Sequence, residues 1–214
     1  MGGMDSLSRH EDYGSDPLHE SDMVSNPFEQ FATWLREAEE FPIYEPNAFV
    51  LGTIDDDGKP TARTVLLKGL DEGFLFATNY LSRKGHALEA HTSVTAVFGW
   101  YAMHRQVIIE GAAEKVTAEE SSDYFASRPR GSQVAAWASQ QSRPIESRDA
   151  LEQQFADADE RFAGESDVPR PPHWGGYRIR PTRIEFWKGR SNRMHDRIVF
   201  VRDGDAWTVE RLQP

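Results

Sequence analysis

Residues 79–90 read NYLSRKGHALEA, and they place two cations where a helix tolerates them least. Ser82 is a good N-cap residue, so a helix is expected to begin there, with Ala87, Leu88 and Ala90 as its apolar or small positions. Arg83 and Lys84 then fall in its first turn. A helix N-terminus already holds roughly half a positive charge from unsatisfied N–H groups, so each cation there is disfavoured by a few tenths of a kcal/mol or more. An anion held at that spot reverses the sign of the argument. The alternative is that both side chains swing into water.

Three further groups could carry chemistry. In YFASRPRGSQ, Tyr124 and Arg128 are four apart and share a helix face, Pro129 and Gly131 turn the chain, and Ser132 reads as the cap of the next helix. A phenol, a guanidinium and a capped helix start make a phosphate cradle, or else an ordinary corner between helices. In RTVLLK, a regular strand puts Arg63, Val65 and Leu67 on one face and Thr64, Leu66 and Lys68 on the other. The two basic ends then serve different ligands, are brought together by a bulge, or are solvated charges on an edge strand. In NRMHDR, an extended backbone projects Arg193, His195 and Arg197 from one face. Two flanking guanidiniums would depress the imidazole's pKa, which suits an anionic, proton-exchanging ligand. Otherwise this is a solvated face offset by Asp196. Gln140, Gln141 and Ser142 could meet the polar edge of a heteroaromatic ring or be plain loop, and Trp187 walls a flat ligand or fills the core. There is no HExxH, no GxSxG and no carboxylate cluster at metal spacing, so no metal site is expected.

These residues need elements to hold them. Asn26-Pro27 opens a helix in which Phe28, Phe31, Trp34, Leu35 and Ala38 repeat with helical spacing. NAFVLGTI, the turn DDDGK and PTARTVLLK form a β-hairpin, and GFLFATN is a third strand. TSVTAVFGWY and RQVIIEGAAEKV are two more. Thr117 and Glu120 form a capping box for a helix through about Ser127. Ser132 starts a short helix through Trp137, and residues 147–163 are a charged amphipathic helix. VPRPPHWGG reads as a loop before three last strands, YRIRPTRIEFWKG, RIVFVRDG and AWTVERL. Short strands joined mainly by tight turns favour a mainly β fold, an antiparallel barrel or sandwich with helical insertions, over a parallel doubly wound sheet. Neither GxGxxG nor GxxxxGK[ST] occurs, so side chains and isolated helix ends must hold any nucleotide.

The totals set outer limits. The net charge of −11 argues against general nucleic-acid binding. The absence of Cys removes disulfides, thiolate metal sites and a cysteine nucleophile, and is compatible with a cytoplasmic protein. No apolar run approaches the ~20 residues of a membrane span, and the N-terminus lacks the order of a signal peptide. Residues 1–25 carry Asp5, Glu11, Asp12, Asp16, Glu20 and Asp22 against Arg9 alone, with few large apolar residues. They are expected to be a flexible acidic segment or a lid, leaving 26–214 as one domain.

Taken in order, RTVLLKGL, NYLSRKGHALE, GWYAMHRQVIIEG, YFASRPRGSQVAAWASQQS, WGGYRIRPTRIEFW, RMHDR and WTVERLQP make the chain resemble the pyridoxine (pyridoxamine) 5′-phosphate oxidase family. The resemblance covers roughly residues 47–214. It implies an FMN-binding split β-barrel of antiparallel Greek-key type, with FMN in clefts at a homodimer interface. It implies that Arg63, Arg83 and Lys84 bind the FMN phosphate beside Thr78 and Ser82, and that the backbone of Val65 and Leu66 runs along the flavin. Gln106, Gln141, Ser142, Trp187 and Arg197 match further flavin contacts, and Lys68 borders both ligands. Lys68, Tyr124, Arg128 and Ser132 match residues that hold the substrate phosphate, and Arg193 and His195 match catalytic residues over its pyridine ring. The implied reaction oxidises pyridoxamine or pyridoxine 5′-phosphate to pyridoxal 5′-phosphate while dioxygen becomes hydrogen peroxide. Two positions depart from the family pattern. Ala77 stands where an aromatic residue is frequent, and Arg9 lies one residue too far from Tyr13 for the usual Arg-x-x-Tyr element, with His10 at that spacing. A non-catalytic pyridoxal-phosphate carrier and a flavin- or deazaflavin-dependent reductase remain alternatives.

Overall fold

The computed structural model describes residues 12–214. Its first helix, α1 (Pro27–Glu40), starts where the sequence places it: Pro27 fills the first helical position and Asn26 accepts the Phe28 N–H at 2.9 Å. Phe31, Trp34 and Ala38 form its buried face. Strands β1 (Ala48–Ile54) and β2 (Pro60–Leu66) pair antiparallel, with Leu51 opposite Arg63. Their turn needs a left-handed residue, and Gly58 supplies it at φ +77°. The sequence carries the second strand on to Lys68, but β2 stops at Leu66, so the alternation argument ends there. Lys68 lies past the strand with its N–H bonded to Leu75 O at 2.7 Å and its side chain exposed.

A short β3 (Gly69–Leu70), which the sequence does not announce, pairs with β4 (Phe74–Asn79). Then come α2 (Arg83–Ala90), β5 (Ser93–Trp100), β6 (Arg105–Lys115), α3 (Ala118–Ala126), α4 (Arg130–Ala138) and α5 (Arg148–Arg161). The Thr117–Glu120 capping box closes in both directions at the start of α3. Strands β7 (Trp174–Lys188), β8 (Asp196–Asp203) and β9 (Ala206–Leu212) complete the chain. Hydrogen bonding orders the strands β2-β1-β5-β6-β7-β4-β3, with β8 joining β7 and β9 joining β8. Among the described residues no helix is long and apolar enough to cross a membrane.

Three sequence expectations need correction. Ser132 does not cap a helix: α4 already begins at Arg130 after Pro129, whose fixed φ suits a helix entry, and Ser132 sits in the first turn. The loop ending in WGG is shorter than expected, because β7 starts at Trp174. Arg193, His195 and Arg197 do not alternate along an extended segment, since Asn192 and Arg193 are left-handed at φ 57° and 60° in a 3₁₀ turn (Ser191–Arg193).

Contacts gather the chain into two units, and β5, β6 and β7 run through both. The first holds the residues up to 46 together with 97–109 and 182–214. Its core includes Phe31 edge-on to Phe98 at 4.8 Å and Trp34 edge-on to Phe186 at 5.1 Å. The acidic N-terminal stretch is anchored here from residue 12 onward. Leu18 is buried and donates its N–H to Asp196 at 2.9 Å, Glu20 pairs with Arg211, and Asp16 pairs with Lys188. Asp5, Arg9, His10 and Glu11 lie outside the described residues. The second unit holds 47–96 and 110–181. Phe49, Leu51, Phe74, Phe76, Leu88 and Ile179 are buried in it, and Phe125, Val134, Phe162, Val168 and Trp174 form a further cluster.

Candidate functional site

The α2 N-terminus forms the first candidate site, within the second unit. Ser82 is fully buried; its Oγ donates to Asn79 O at 2.7 Å and accepts the Gly85 N–H at 3.2 Å. The two cations of the first turn then part. Lys84 turns inward and donates to Gln141 Oε1 at 2.8 Å and Thr78 Oγ1 at 3.3 Å. Arg83 turns outward, is largely exposed, and meets Asp55 at 3.3 Å. The reading that both side chains swing into water therefore holds for Arg83 and not for Lys84. Arg63 joins the inner group from β2, donating to Leu51 O at 3.0 Å, Thr53 Oγ1 at 2.8 Å and Thr61 Oγ1 at 2.6 Å.

Every acceptor that Arg63 and Lys84 meet is neutral. Burial pulls the Lys84 ammonium below its ordinary pKa and the Arg63 charge pulls it further; burial and Arg83 do the same to Arg63. An anion would reverse both effects. Gln141 belongs to the loop after α4, where Ser142 is left-handed at φ 73°. Val65 and Leu66 are half-buried on β2. Ala77 packs against the Phe125–Trp174 cluster.

The second candidate site, in the same unit, is built on Trp174. The Tyr124 ring stacks on it at 6.0 Å and 18°, and the Arg128 guanidinium lies over it at 4.5 Å. Arg128 Nη1 is buried without a hydrogen-bond partner, and burial lowers the group's pKa. An unsatisfied charged donor costs free energy unless a ligand meets it. Ser132 is half-buried in the first turn of α4, its N–H bonded to Pro129 O at 2.8 Å. No contact ties the exposed Lys68 side chain to this group among the described residues. Trp174 itself escaped the sequence reading, which placed it in a loop; an aromatic residue directly before Gly175-Gly176 was the available signal.

The first unit holds a third group. Trp187 is half-buried rather than core, with the His195 ring 4.8 Å from it and Tyr13 5.8 Å from His195. His195 Nδ1 accepts the Arg190 N–H at 3.0 Å, so the ring proton belongs on Nε2. Arg197 does not flank that imidazole as a bare cation. It makes a two-pronged pair with the buried Glu185 carboxylate at 2.7 and 3.0 Å, which raises its pKa. Arg193 is exposed and has no hydrogen bond or ion pair among the described residues. Gln106 is half-buried near the start of β6.

The antiparallel sheet with helices inserted between its strands has the split β-barrel architecture. A pyridoxamine 5′-phosphate oxidase-related, FMN-binding protein from Nostoc punctiforme shares this fold at TM-score 0.71 and 14% identity, over 90% of this chain and 100% of that one. The family pattern described as pyridoxamine 5′-phosphate oxidase matches residues 35–162, and that of the pyridoxine 5′-phosphate oxidase C-terminal dimerisation region matches 174–214. The chain belongs to the pyridoxine/pyridoxamine 5′-phosphate oxidase family. A relative of that name from Rubrobacter xylanophilus is 54% identical over 92% of this chain and 91% of its own length. Another, from Salinibacter ruber, is 49% identical over 95% and 96%. Among solved structures, PhzG from Burkholderia lata in complex with tetrahydrophenazine-1-carboxylic acid is 31% identical at TM-score 0.86, covering 93% of this chain and 98% of that one.

Proposed function

We propose that the chain oxidises pyridoxamine or pyridoxine 5′-phosphate to pyridoxal 5′-phosphate, using FMN and dioxygen, as a homodimer. The alcohol and dioxygen give the aldehyde and hydrogen peroxide; the amine also consumes water and releases ammonia. The observation that carries this reading is the pair of cationic groups in one unit whose half-buried charges meet no carboxylate, Arg63 with Lys84 and Arg128 over Trp174. Two anion cradles suit a reaction between two phosphorylated aromatics. The match of residues 174–214 to a dimerisation region supports the homodimer.

The donor set fits the phosphate of FMN: Arg63, Lys84, Arg83 and the α2 N-terminus, with Thr78 and Gln141 already hydrogen-bonded to the Lys84 ammonium and the buried Ser82 hydroxyl committed to capping the helix. Gln106, Ser142, Trp187 and Arg197 are assigned to the rest of the cofactor, with the backbone of Val65 and Leu66. FMN, when bound, supplies a two-electron acceptor that dioxygen can reoxidise. The protein's own part is placement. Arg128, Tyr124, Ser132 and Lys68 take the substrate phosphate. Arg193 and His195 clamp the pyridine ring, with the His195 proton held at Nε2 because Nδ1 is engaged by Arg190. Fixing two reactants in register can supply several kcal/mol of barrier lowering.

The test is peroxide release from FMN-loaded protein given each B6 phosphate. Arg128→Met should lower kcat/KM for the phosphorylated substrates about 10- to 150-fold, the worth of one hydrogen bond to a charged group, and leave FMN affinity unchanged. Peroxide from neither substrate would refute the proposal. The likeness to PhzG favours a second reading, oxidation of a reduced tricyclic carboxylate. Peroxide from such a compound and not from the B6 phosphates would establish it.

A further inference from the structure

Asp55, which lines the cavity at the α2 corner beside Asp56 and Asp57, is the carboxylate that Arg83 meets. It sits at the end of the β1–β2 hairpin, and its side chain is only 19% exposed. One oxygen, Oδ1, accepts the Lys59 N–H at 2.8 Å, which fixes the carboxylate; the other, Oδ2, meets Arg83 at 3.3 Å. The Arg83 side chain is 64% exposed. Asp55 and Arg83 together line an open cavity of about 480 Å³, with His86, Gln141 and Ser142. Gln141 is the residue that accepts from Lys84, so this cavity borders the inner cationic group.

The geometry points to Asp55 as an intramolecular competitor for the flavin phosphate, one that holds Arg83 outward and weakens FMN binding by occupying a cation the phosphate needs. This rests on the assignment of FMN to the Arg63–Lys84 corner. When the phosphate arrives, Arg83 must exchange a fixed carboxylate for it, and the Asp55 charge stays close to a dianion. Both effects oppose binding and both are screened by salt. A pair this open to solvent is weak, so removing the competitor should tighten FMN by only about two- to fivefold.

The discriminating variant is Asp55→Asn. Its amide oxygen still accepts the Lys59 N–H, so the turn is retained while the charge is lost; Asp55→Ser is a second variant with the same loss of charge. Flavin fluorescence titration of the apo-protein at low ionic strength should show FMN binding about two- to fivefold tighter in both variants. Riboflavin, which lacks the phosphate, should bind as it does to wild type. Asp55→Glu should restore wild-type FMN affinity, and the difference should shrink as salt is raised. Unchanged or weaker FMN binding would overturn the inference, the latter by making Asp55 a support for Arg83. Equal tightening of riboflavin would overturn it too, by moving the effect off the phosphate. Wild-type protein that binds neither flavin would instead remove the FMN assignment beneath it.

Discussion

Replacing Lys84 by methionine separates function from stability. In the apo-protein the ammonium is half-buried among neutral acceptors and beside Arg63, and its pKa is lowered by burial first and by Arg63 second. A cation with a folded pKa below its unfolded value disfavours folding at every pH where it is charged. That penalty fades only as pH rises through the folded value towards the unfolded one near 10.4. Near neutral pH, Lys84→Met therefore removes an unfavourable term, and the apo-protein should unfold no earlier than wild type. With FMN the order inverts. A hydrogen bond to a charged phosphate is worth about 1.5–3 kcal/mol, so Kd should rise about 10- to 150-fold. At a concentration of 100 times the wild-type Kd, FMN stabilises the wild type by about 2.7 kcal/mol and the variant by only about 0.3–1.4 kcal/mol. For a chain of this size 1 kcal/mol moves Tm by about 2–4 °C, so the gap is measurable by thermal denaturation with and without FMN. Riboflavin binding should be unaffected. A variant whose apo form is clearly less stable, or that loses riboflavin as fully as FMN, would refute the reasoning.

Two other substitutions test the supports. Glu185 is buried between Arg197 and Arg183; burial raises its pKa but the two guanidiniums outweigh it, leaving the carboxyl below the usual range. Its stabilising effect is thus complete above the ordinary glutamate pKa and is lost as pH falls through the lower folded value. Glu185→Gln should cost about 3 kcal/mol at neutral pH by urea unfolding, should flatten that acid limb, and is contradicted by a wild-type unfolding midpoint. Gly85 is the buried residue whose N–H meets the Ser82 cap, and a Cβ there would stand 2.1 Å from Tyr80 O. Gly85→Ala should cost about 1–3 kcal/mol by backbone displacement and weaken FMN binding with it; unchanged values of both would contradict the packing argument.

Local rules read the elements well and the side-chain destinations poorly. Asn26-Pro27, Ser82 and Thr117–Glu120 announce helix starts because a cap is a bond between near neighbours, and each bond forms. The divergence of Arg83 and Lys84 is different, since it depends on Asp55 and Gln141, which lie far away in the chain. Ser132 misled because serine caps well in isolation, whereas Pro129 had already started α4. The alternation drawn through Arg193, His195 and Arg197 assumed an extended backbone; Asn192 is a residue type that tolerates the left-handed region, but nothing in Arg193 announces that it follows. The sequence offers Arg197 either a place beside the imidazole or a solvated face offset by Asp196, and its actual partner, Glu185, is twelve residues away on the neighbouring strand. β3 escaped notice because two residues carry no period.

The candidate site is marked by the company its cations keep, a company shared by half-buried Arg170, which meets Ser122 Oγ and Trp174 O. The chain has 35 acidic residues against 24 basic ones, so a carboxylate is the easiest partner for any arginine to find. Arg178 has Asp71 and Glu120, Arg180 has Glu72 and Glu114, and Arg211 has Glu20 and Asp196. Against that background Arg63, Lys84 and Arg128 are half-buried and meet hydroxyls, amides, carbonyls or aromatic faces instead. Leaving a buried charge without its counter-ion is destabilising, and in an acidic protein the remedy is close at hand in sequence space: a single acidic substitution beside any of the three. A carboxylate placed there would neutralise the apo-protein and close the cradle to a phosphate. That instability is what an anion in either proposed cradle would relieve, and it is the physical argument for assigning phosphates to Arg63, Lys84 and Arg128.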